Sequence, residues 1–447
     1  MQSLKRKRIA VIGGGISGLS SAWLLSQNND VILYEREGRL GGHSNTVDVQ
    51  TTDGKISIDT GFIVFNQWTY PNLVALFDHL KVPTLSTDMS FGVSADDGRF
   101  EYSGGTLTGL VGQFSNIFNP RFWRMLREIN RFYSTAPEKL LRGEFEGKTL
   151  GDVLEAGKYS DAFQRDHLLP MAAAIWSGTV EGMRDYPAAS FARFFVNHGL
   201  FNYTDRPQWR TVMGGSRNYV EKISQAFESR TGAGVRKVER TANGVEITDM
   251  SGHKDTFDRI VMATHADNTL SMLSDADDME RQLLSPFKYQ KNLAVLHNDI
   301  KLMPKRRRVW SSWNYLARPS QDASLSKDMS VCVTYWMNNL QHLDERHPLF
   351  VTLNPVQPPD PECVFKSFEY DHPLFDNNTD KAQQELWQLQ GHRNTWYCGS
   401  YFGAGFHEDG LQSGLWAAEN AGDVRRPWTV ENESGRIHLP PKQAAAA

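Results

Sequence analysis

The chain has 447 residues, of which 40% are hydrophobic, and a formal net charge of −4 at pH 7. Its length predicts two domains, and its acidic balance argues against a protein that binds nucleic acid through a basic surface. Three scattered cysteines, at 332, 363 and 398, cannot form a disulfide framework and fit a reducing cytoplasm. No apolar run reaches the roughly 20 residues of a membrane span, so any membrane association is expected to be peripheral.

The first element is an apolar run at 9–12, which predicts a strand rather than a signal peptide because glycines interrupt it at once. Gly13, Gly15 and Gly18 follow with Gly-x-Gly-x-x-Gly spacing, and a helix-like stretch begins behind them. The first glycine permits a tight turn, the second lets the backbone approach a phosphate, and the third lets helix and strand pack closely. Ile16 and Ser17 then offer amides at the positive end of the helix.

A second apolar strand at 31–34 ends at Glu35, where an acidic side chain can accept hydrogen bonds from an adenosine ribose. Strand, glycine turn, helix, second strand and terminal acid together indicate a dinucleotide site. An ordinary glycine turn is the alternative.

The following segment, residues 36–43, combines cations with paired glycines. Here the chain resembles the superfamily of flavin-dependent amine oxidases, phytoene desaturases and protoporphyrinogen oxidases, whose opening motif continues into such an Arg-x-Gly-Gly. The resemblance implies that FAD is the cofactor. It implies that Arg39, with Arg36 nearby and the amides of Gly41 and Gly42, approaches the pyrophosphate. The loop from His43 to Thr46, which includes Ser44, then runs toward the flavin. Arg39 could instead be a solvated loop charge.

Residues 56–65 alternate like a buried strand that Asp59 and Gly61 interrupt. The resemblance places an acid-x-Gly there close to the cofactor, and a turn between two strands is the alternative. From Pro71 to about residue 210 the sequence becomes helical and rich in aromatic residues, which predicts an inserted domain.

The nucleotide-binding part is expected to resume after residue 210, with a hairpin or meander around 235–247 and an apolar strand at 257–265. The resemblance implies that Val238 lies against the adenine end and that Ala263 and Thr264 close this part of the fold. A second aromatic-rich segment covers about 275–392.

The last segment predicts a strand at 395–401, a loop at 403–410 and a helix at 411–419. Amides near Gly410 and Leu411 are expected to point at the flavin, where negative charge accumulates on reduction. The superfamily usually has Gly-Asp at the strand end, whereas this chain has Gly399 and Ser400. Among the next residues, His407, Glu408 and Asp409 can substitute for the missing acid.

The predicted fold is therefore α/β, a Rossmann-like FAD-binding domain with an interleaved α+β substrate domain. Residues 1–70, 211–274 and 393–430 form the predicted FAD-binding domain, and residues 71–210 and 275–392 form the substrate-binding domain. Residues 431–447 are a tail that ends in a low-complexity alanine run at 444–447.

Within the superfamily, the chain most resembles a set of bacterial NAD/FAD-binding proteins with this His-Glu-Asp-Gly loop, which are associated with modification of membrane fatty acids. The resemblance implies an FAD-dependent oxidoreductase, a desaturase or dehydrogenase that acts on a membrane lipid acyl chain by hydride transfer to flavin N5. His407 or Glu408 is the predicted base, with helix capping as the alternative for each. The competing functions are an amine oxidase and a non-catalytic flavin-binding regulatory protein. The histidines have no spacing that predicts a metal site.

The expected partner is a lipid or another hydrophobic small molecule, with an anionic surface such as the bacterial inner membrane as a further partner. Segment 114–134 has apolar residues at helical spacing beside four arginines, which suits a helix lying on a membrane. Packing on its own domain with a solvated basic face is the alternative. Residues 305–308 form a second basic stretch beside Trp310.

Overall fold

The computed structural model describes residues 6–104, 106–317 and 331–441. The alanine run at 444–447 lies outside the described residues. The strands, in chain order, are β1 (Arg8–Ile12), β2 (Asp30–Tyr34), β3 (Thr46–Thr51), β4 (Gly54–Asp59), β5 (Phe65–Asn66), β6 (Thr84–Thr87), β7 (Phe91–Ala95), β8 (Phe100–Ser103), β9 (Trp209–Val212), β10 (Glu228–Arg230), β11 (Val235–Thr241), β12 (Gly244–Asp249), β13 (Lys254–Phe257), β14 (Arg259–Met262), β15 (Lys288–His297), β16 (Trp313–Leu316), β17 (Cys332–Trp336), β18 (Phe350–Leu353), β19 (Val364–Leu374) and β20 (Thr395–Tyr397).

The helices, also in chain order, are α1 (Ile16–Leu25), α2 (Pro71–Leu80), α3 (Leu107–Val111), α4 (Phe114–Ile117), α5 (Pro120–Leu141), α6 (Leu150–Ala156), α7 (Asp161–Phe163), α8 (Leu169–Trp176), α9 (Ala188–Asn197), α10 (Arg217–Ser224), α11 (Ala266–Met272), α12 (Asp278–Leu284), α13 (Met337–Gln341), α14 (Asn377–Gln383) and α15 (His407–Gly422). A π-helical turn at Gln164–Leu168 joins α7 to α8.

A parallel sheet in the order β10-β2-β1-β14-β20 forms one side of the molecule. The central strands are buried on both faces, which explains their continuous apolar sequences. The predicted α/β class with a parallel sheet is confirmed. The strands come from three separate stretches of the chain, and the domain boundaries given above stay a prediction.

Helices α1 and α15 pack against each other beside this sheet. Their approach is close because α15 presents Gly414, where an added Cβ would lie 2.4 Å from the Ser17 carbonyl oxygen. The Ser21 hydroxyl donates to the Gly414 carbonyl oxygen at 2.8 Å and joins the two helices. The first and last segments of the chain are therefore fixed to each other next to the glycine turn.

A second, seven-stranded sheet has the order β19-β15-β18-β17-β16-β7-β8. Its residues share a hydrophobic core with α5, α6, α8 and α9. Smaller sheets complete the fold: β11-β12-β13, β5-β9-β6 and the hairpin β3-β4. No helix in the described parts of the chain combines the length and the hydropathy needed to cross a membrane.

The helix predicted over segment 114–134 divides into α4 and α5, because Asn119 caps a new helix through a hydrogen bond from the Arg121 amide. The apolar face of α5 packs into the core, with Phe122, Met125 and Ile129 all buried. This face is therefore unavailable to a membrane.

The second basic stretch is also largely neutralised within the fold. Lys305 pairs with Asp97, Arg306 with the buried Glu101, and Arg307 with Glu345. Arg308 alone of the four has no ion pair with a described residue.

Candidate functional site

A large cavity of about 2370 Å³ runs from the glycine turn behind β1 into the helical part of the molecule. This volume is more than twice the roughly 300–1,000 Å³ of a typical small-molecule site. It is large enough for an extended dinucleotide and a second molecule beside it.

The glycine turn has the geometry that the sequence predicts. Gly13 has a φ of 107°, a left-handed conformation that favours glycine. A Cβ on Gly18 would lie 1.8 Å from the Gly13 carbonyl oxygen, whereas a Cβ on Gly15 would have no atom within 4 Å. Gly18 therefore serves the packing of strand and helix, and Gly15 faces the open cavity.

The N-terminus of α1 is open to a ligand. Gly15 is the N-cap residue and no side chain caps the helix, so the amides of the first turn lack a side-chain acceptor. Ile16 and Ser17, which carry two of these amides, line the cavity. An anion at this position would gain hydrogen bonds and the favourable end of the helix dipole.

Glu35 lies across the turn from α1 and also lines the cavity. Its carboxylate accepts hydrogen bonds from the Gly14 amide at 2.6 Å and the Glu37 amide at 2.8 Å. A carboxylate has further acceptor positions, which suit the hydroxyls of a ribose. The side chain thus fixes the turn and remains available to a ligand.

The loop after Glu35 folds back onto the glycine turn. The Gly41 amide donates to the Gly14 carbonyl oxygen at 2.8 Å, and a Cβ on Gly42 would lie 3.1 Å from the Gly15 Cα. Arg39 lines the cavity and has no ion pair with a described residue, while Arg36 pairs loosely with Glu37. Arg39 is thus a cation beside the uncapped helix, where a pyrophosphate would carry its charge.

Three histidines that are distant in sequence line the cavity near this loop: His43, His265 and His372. The His43 ring stacks between Tyr370 and His372, with ring centroids 4.9 Å and 5.3 Å away. Burial lowers the pKa of His43 well below its usual value and lowers that of His372 to about 4. The buried His43 Nε2 has no hydrogen-bond partner among the described residues, which leaves a polar atom for a ligand to satisfy.

His407, the first residue of α15, lines the cavity from the other side. Its ring stacks on Phe62 with 3.8 Å between centroids, and its Nε2 is 2.8 Å from the Tyr219 hydroxyl, which also contacts Ser44. Burial lowers the pKa of His407 to about 3. The ring is therefore neutral at physiological pH. Ser44 does not line the cavity; its hydroxyl contacts both Tyr219 and the His407 ring.

The predicted start of the last helix is wrong by four residues, because α15 begins at His407 rather than Leu411. The Gly410 amide donates to the Phe406 carbonyl oxygen within the helix, and a Cβ on Gly410 would lie 2.8 Å from the Ser17 hydroxyl. Gly410 and Leu411 are thus packed against α1 and do not line the cavity. The amides of the first helical turn belong to residues 407–409.

Glu408 and Asp409 are fully buried and hold structure together. The Glu408 carboxylate accepts from the Asn72 and Leu73 amides, each at 3.0 Å, and so caps α2. Asp409 accepts from the Phe406 amide and pairs with Arg436 at 2.6 Å. Neither lines the cavity, so the expected roles of Glu408 as a base and of Asp409 as a cofactor ligand are replaced by capping.

Of three further predicted ligands, Asp59 and Val238 lie behind the cavity wall and Gly61 lines the cavity. Asp59 accepts from the Ser216 amide at the start of α10, and a Cβ on Gly61 would lie 2.3 Å from the His43 carbonyl oxygen. Gly61 lines the cavity, whereas Asp59 does not. Val238 is buried behind the wall, and Val235, three residues earlier on β11, lines the cavity instead.

Ala263, Thr264, Gly399 and Ser400 line the cavity, and their contact with the cofactor stays a prediction. They follow β14 and β20 at the carboxyl ends of neighbouring parallel strands, where ligands of open α/β sheets bind.

The far part of the cavity, which we call the chamber, lies between the seven-stranded sheet and helices α5 and α8. Sequence reasoning did not identify it, because its residues come from many elements. Its apolar lining includes Phe91, Leu126, Ile129, Met171, Ile175, Leu200, Trp313 and Leu353.

A chain of hydrogen bonds crosses the chamber wall. The Tyr102 hydroxyl donates to the Asp166 carbonyl oxygen at 2.8 Å, so its oxygen accepts from His167 Nδ1 at 3.0 Å. His167 Nε2 then accepts from the Tyr133 hydroxyl at 2.9 Å. Burial lowers the pKa of His167 to about 3, which keeps this chain neutral.

The residues present fit FAD. The uncapped N-terminus of α1 and Arg39, which has no ion pair with a described residue, suit the pyrophosphate. Glu35 suits a ribose, and the His43 Nε2 atom offers a polar contact farther along the cavity. When bound, FAD supplies two-electron redox chemistry, and the protein orients it. In the described part of the chain, no three His, Cys, Asp or Glu side chains are grouped so as to hold a metal ion.

Comparison with known proteins agrees with this geometry. The sequence model of the flavin containing amine oxidoreductase family matches residues 16–296. The chain is 25% identical over 439 residues to the FAD-dependent oxidoreductase dbaF of Emericella nidulans, covering 90% of this chain and 88% of that protein. It is also 25% identical over 255 residues to the flavin-containing amine oxidase A of Canis lupus familiaris, covering 54% of this chain.

That second match spans only 45% of the dog enzyme, so the chain corresponds to less than half the length of this relative. Among solved structures, a CLA-producing fatty acid isomerase from P. acnes has the same fold, with a TM-score of 0.65 at 15% identity over 94% of this chain and 98% of that one. The family match covers well over half of the chain. The chain therefore belongs to the flavin-containing amine oxidoreductase family, with FAD as its cofactor.

Proposed function

We propose that this oxidoreductase removes hydrogen from an apolar substrate, in the first place the acyl chain of a lipid. The observation that carries the proposal is the chamber, whose aliphatic and aromatic side chains continue the FAD-binding cavity into the helical part of the molecule. An extended apolar lining gains free energy by taking hydrocarbon surface out of water. The likeness in fold to a fatty acid isomerase is consistent with such an occupant.

In the proposed reaction the acyl chain would lose two hydrogens from adjacent carbons and form a carbon–carbon double bond. FAD held by the α1 amides, Arg39 and Glu35 would supply the two-electron oxidation, and the remaining proton would pass to solvent water in the cavity. An external electron acceptor must then reoxidise the cofactor. The apolar chamber walls would hold the acyl chain. The hydrogen bonds from Tyr102 through His167 to Tyr133 leave the Tyr133 oxygen as a hydrogen-bond acceptor. A hydroxyl on the substrate would be positioned by this oxygen.

We propose His407 as a neutral hydrogen-bonding group toward FAD or substrate rather than as the base. A group with a pKa of about 3 is a weak proton acceptor at pH 7, because an efficient general base has a pKa near the working pH. The Tyr219 hydroxyl also occupies one of its ring nitrogens. The ring is held rigidly between these contacts and Phe62, which suits positioning.

Oxidation of an amine is the second candidate. Hydride removal from the carbon next to a neutral amine leaves an iminium and requires no proton acceptor on the protein. The low pKa values of His167, His372 and His407 favour this candidate, because none of these lining groups is a strong base. The amine oxidases among the sequence relatives support it as well.

The test is mass spectrometry of cellular lipids and amines with and without the protein. Acyl chains lighter by two hydrogen atoms support the proposal, whereas a shifted double bond at unchanged mass, or altered amines alone, would contradict it. Leu126→Trp fills the chamber and is expected to abolish the change. Leu141→Trp is the matched control, because Leu141 lies on the same helix and is 88% exposed.

A further inference from the structure

Four large apolar side chains are exposed together on α4, directly after it and on the first turn of α5. Phe114 and Phe118 are each 72% exposed, Trp123 is 49% exposed and Ile117 is 39% exposed. We call these four residues the α4 surface. Monomeric soluble proteins rarely expose adjacent large apolar side chains without a function.

The α4 surface has a defined arrangement. The rings of Phe114 and Phe118 meet edge to face with 5.4 Å between centroids, and the Trp123 indole N–H donates to the Ile117 carbonyl oxygen at 2.8 Å. The side chains are thus held outward by local contacts while the opposite face of α5 is packed in the core. A surface whose apolar groups are already ordered loses little conformational entropy when it is covered.

Cations surround this surface although the chain as a whole is acidic. Arg124 and Arg127 are exposed on α5, and Arg308 donates through Nε to the Gly112 carbonyl oxygen at 2.7 Å, just before α4. None of the three has an ion pair with a described residue. The neighbouring Arg121, in contrast, pairs with Asp161 and Asp166.

The surface adjoins the chamber. Leu110, four residues before Phe114, lines the cavity from α3, and Leu126, three residues after Trp123, lines it from α5. The same short segment therefore exposes apolar side chains outward and contributes to the wall that faces the proposed substrate.

We propose that the α4 surface docks the protein on an anionic phospholipid bilayer. Aromatic side chains at the lipid interface with arginines beside them match the chemistry of such a surface, apolar below and negatively charged at the headgroups. Docking places the chamber beside the acyl chains. Delivery of an acyl substrate rests on the proposed function, whereas adsorption to the bilayer stands apart from it.

The test is sedimentation of the FAD-loaded protein with vesicles of phosphatidylglycerol and phosphatidylcholine, compared with vesicles of phosphatidylcholine alone. We expect binding to the anionic vesicles that weakens with salt. Arg124→Gln with Arg127→Gln should lower the partition coefficient about thirtyfold, at about 1 kcal/mol for each cation. Phe114→Ser with Phe118→Ser should lower it at least as much, because two exposed rings are lost.

Matched controls are Lys288→Gln with Lys301→Gln for charge and Leu141→Ser for exposed apolar area, because all three residues are exposed and lie outside the α4 surface. These variants should bind as the unmodified protein does. Wild-type protein that stays in the supernatant, or α4-surface variants that bind normally, would overturn the proposal.

Activity separates the two proposals. If detergent-dispersed acyl substrate is oxidised while vesicles are not bound, docking fails and the proposed function stands. If vesicles are bound but no acyl substrate is oxidised, docking stands and the proposed function fails.

Discussion

Substitution of Gly15 by alanine should separate cofactor binding from folding. Gly15 has a φ of −75° and a ψ of −178°, which alanine adopts without strain. A Cβ there would meet no protein atom within 4 Å, because it projects into the cavity. The free energy of unfolding of the apoprotein should therefore change by less than about 1 kcal/mol. Alanine is a slightly poorer N-cap residue than glycine, which destabilises the fold, but it lowers the conformational entropy of the unfolded chain, which stabilises the fold.

FAD affinity should fall much more. The added methyl group occupies the space through which a pyrophosphate reaches the uncapped N-terminus of α1, so hydrogen bonds to the Ile16 and Ser17 amides lengthen or break. A loss of at least tenfold in affinity, about 1.4 kcal/mol, is expected. Titration of apoprotein with FAD by isothermal calorimetry gives the affinity, and urea unfolding of the same preparation gives the stability.

The matched control is Gly178→Ala, because Gly178 has ordinary backbone angles and lies outside the cavity lining, and its Cβ would make a normal 3.4 Å contact with Met183. It should change neither quantity appreciably. Unchanged FAD affinity in Gly15→Ala would refute the assignment of this turn to the pyrophosphate.

The remaining predictions concern stability. Gly18→Ala should lower the free energy of unfolding by more than about 3 kcal/mol, because its Cβ would collide with the Gly13 carbonyl oxygen; a soluble variant of wild-type stability contradicts this packing. Glu408→Ala should lower the free energy of unfolding in urea by about 3 kcal/mol, because buried amide donors at the start of α2 lose their acceptor. FAD affinity should stay unchanged. A loss of FAD affinity at unchanged stability would instead indicate that Glu408 belongs to the cofactor site. Acid should destabilise the fold from about pH 6.5 downward, because buried histidines stay neutral to about pH 4 or below, whereas in the unfolded chain they bind protons. At pH 5, unfolding should take up about five to six protons, which the pH dependence of the unfolding free energy measures. Uptake of about one proton or fewer would contradict the burial of these rings; the residues are His43, His167, His198, His297, His372 and His407.

The sequence predicts the glycine turn, its strands and Glu35 well, because each of these depends on residues close together in the chain. The burial of β1 on both faces and the open space at Gly15 follow from the same short motif. The match between prediction and structure is best where local spacing alone fixes the geometry.

The start of α15 was wrong because Gly410 suggested a loop. In the structure this glycine allows α15 to pack on Ser17 of α1, a contact between residues nearly four hundred positions apart. The roles of Glu408 and Asp409 depend on the same packing, since their partners Asn72 and Arg436 come from distant segments. Residue types alone could not distinguish a capping carboxylate from a catalytic one.

The chamber could not be predicted for a related reason. Tyr133 and His167 are 34 positions apart, and Tyr102 and His167 are 65 positions apart. Periodicity correctly marks α5 as amphipathic, but its apolar face packs in the core. The rings of Phe114 and Phe118 fit the same helical spacing of apolar residues, so the spacing alone does not show that they are exposed.

The most direct test of the account is the absorbance spectrum of the FAD-loaded protein during anaerobic addition of candidate substrates. We predict that an acyl lipid or free fatty acid bleaches the oxidised flavin in the unmodified protein and in Leu141→Trp, but not in Leu126→Trp. Bleaching by small amines alone, or by no apolar compound at all, would contradict the claim that the chamber delivers an acyl chain to the cofactor.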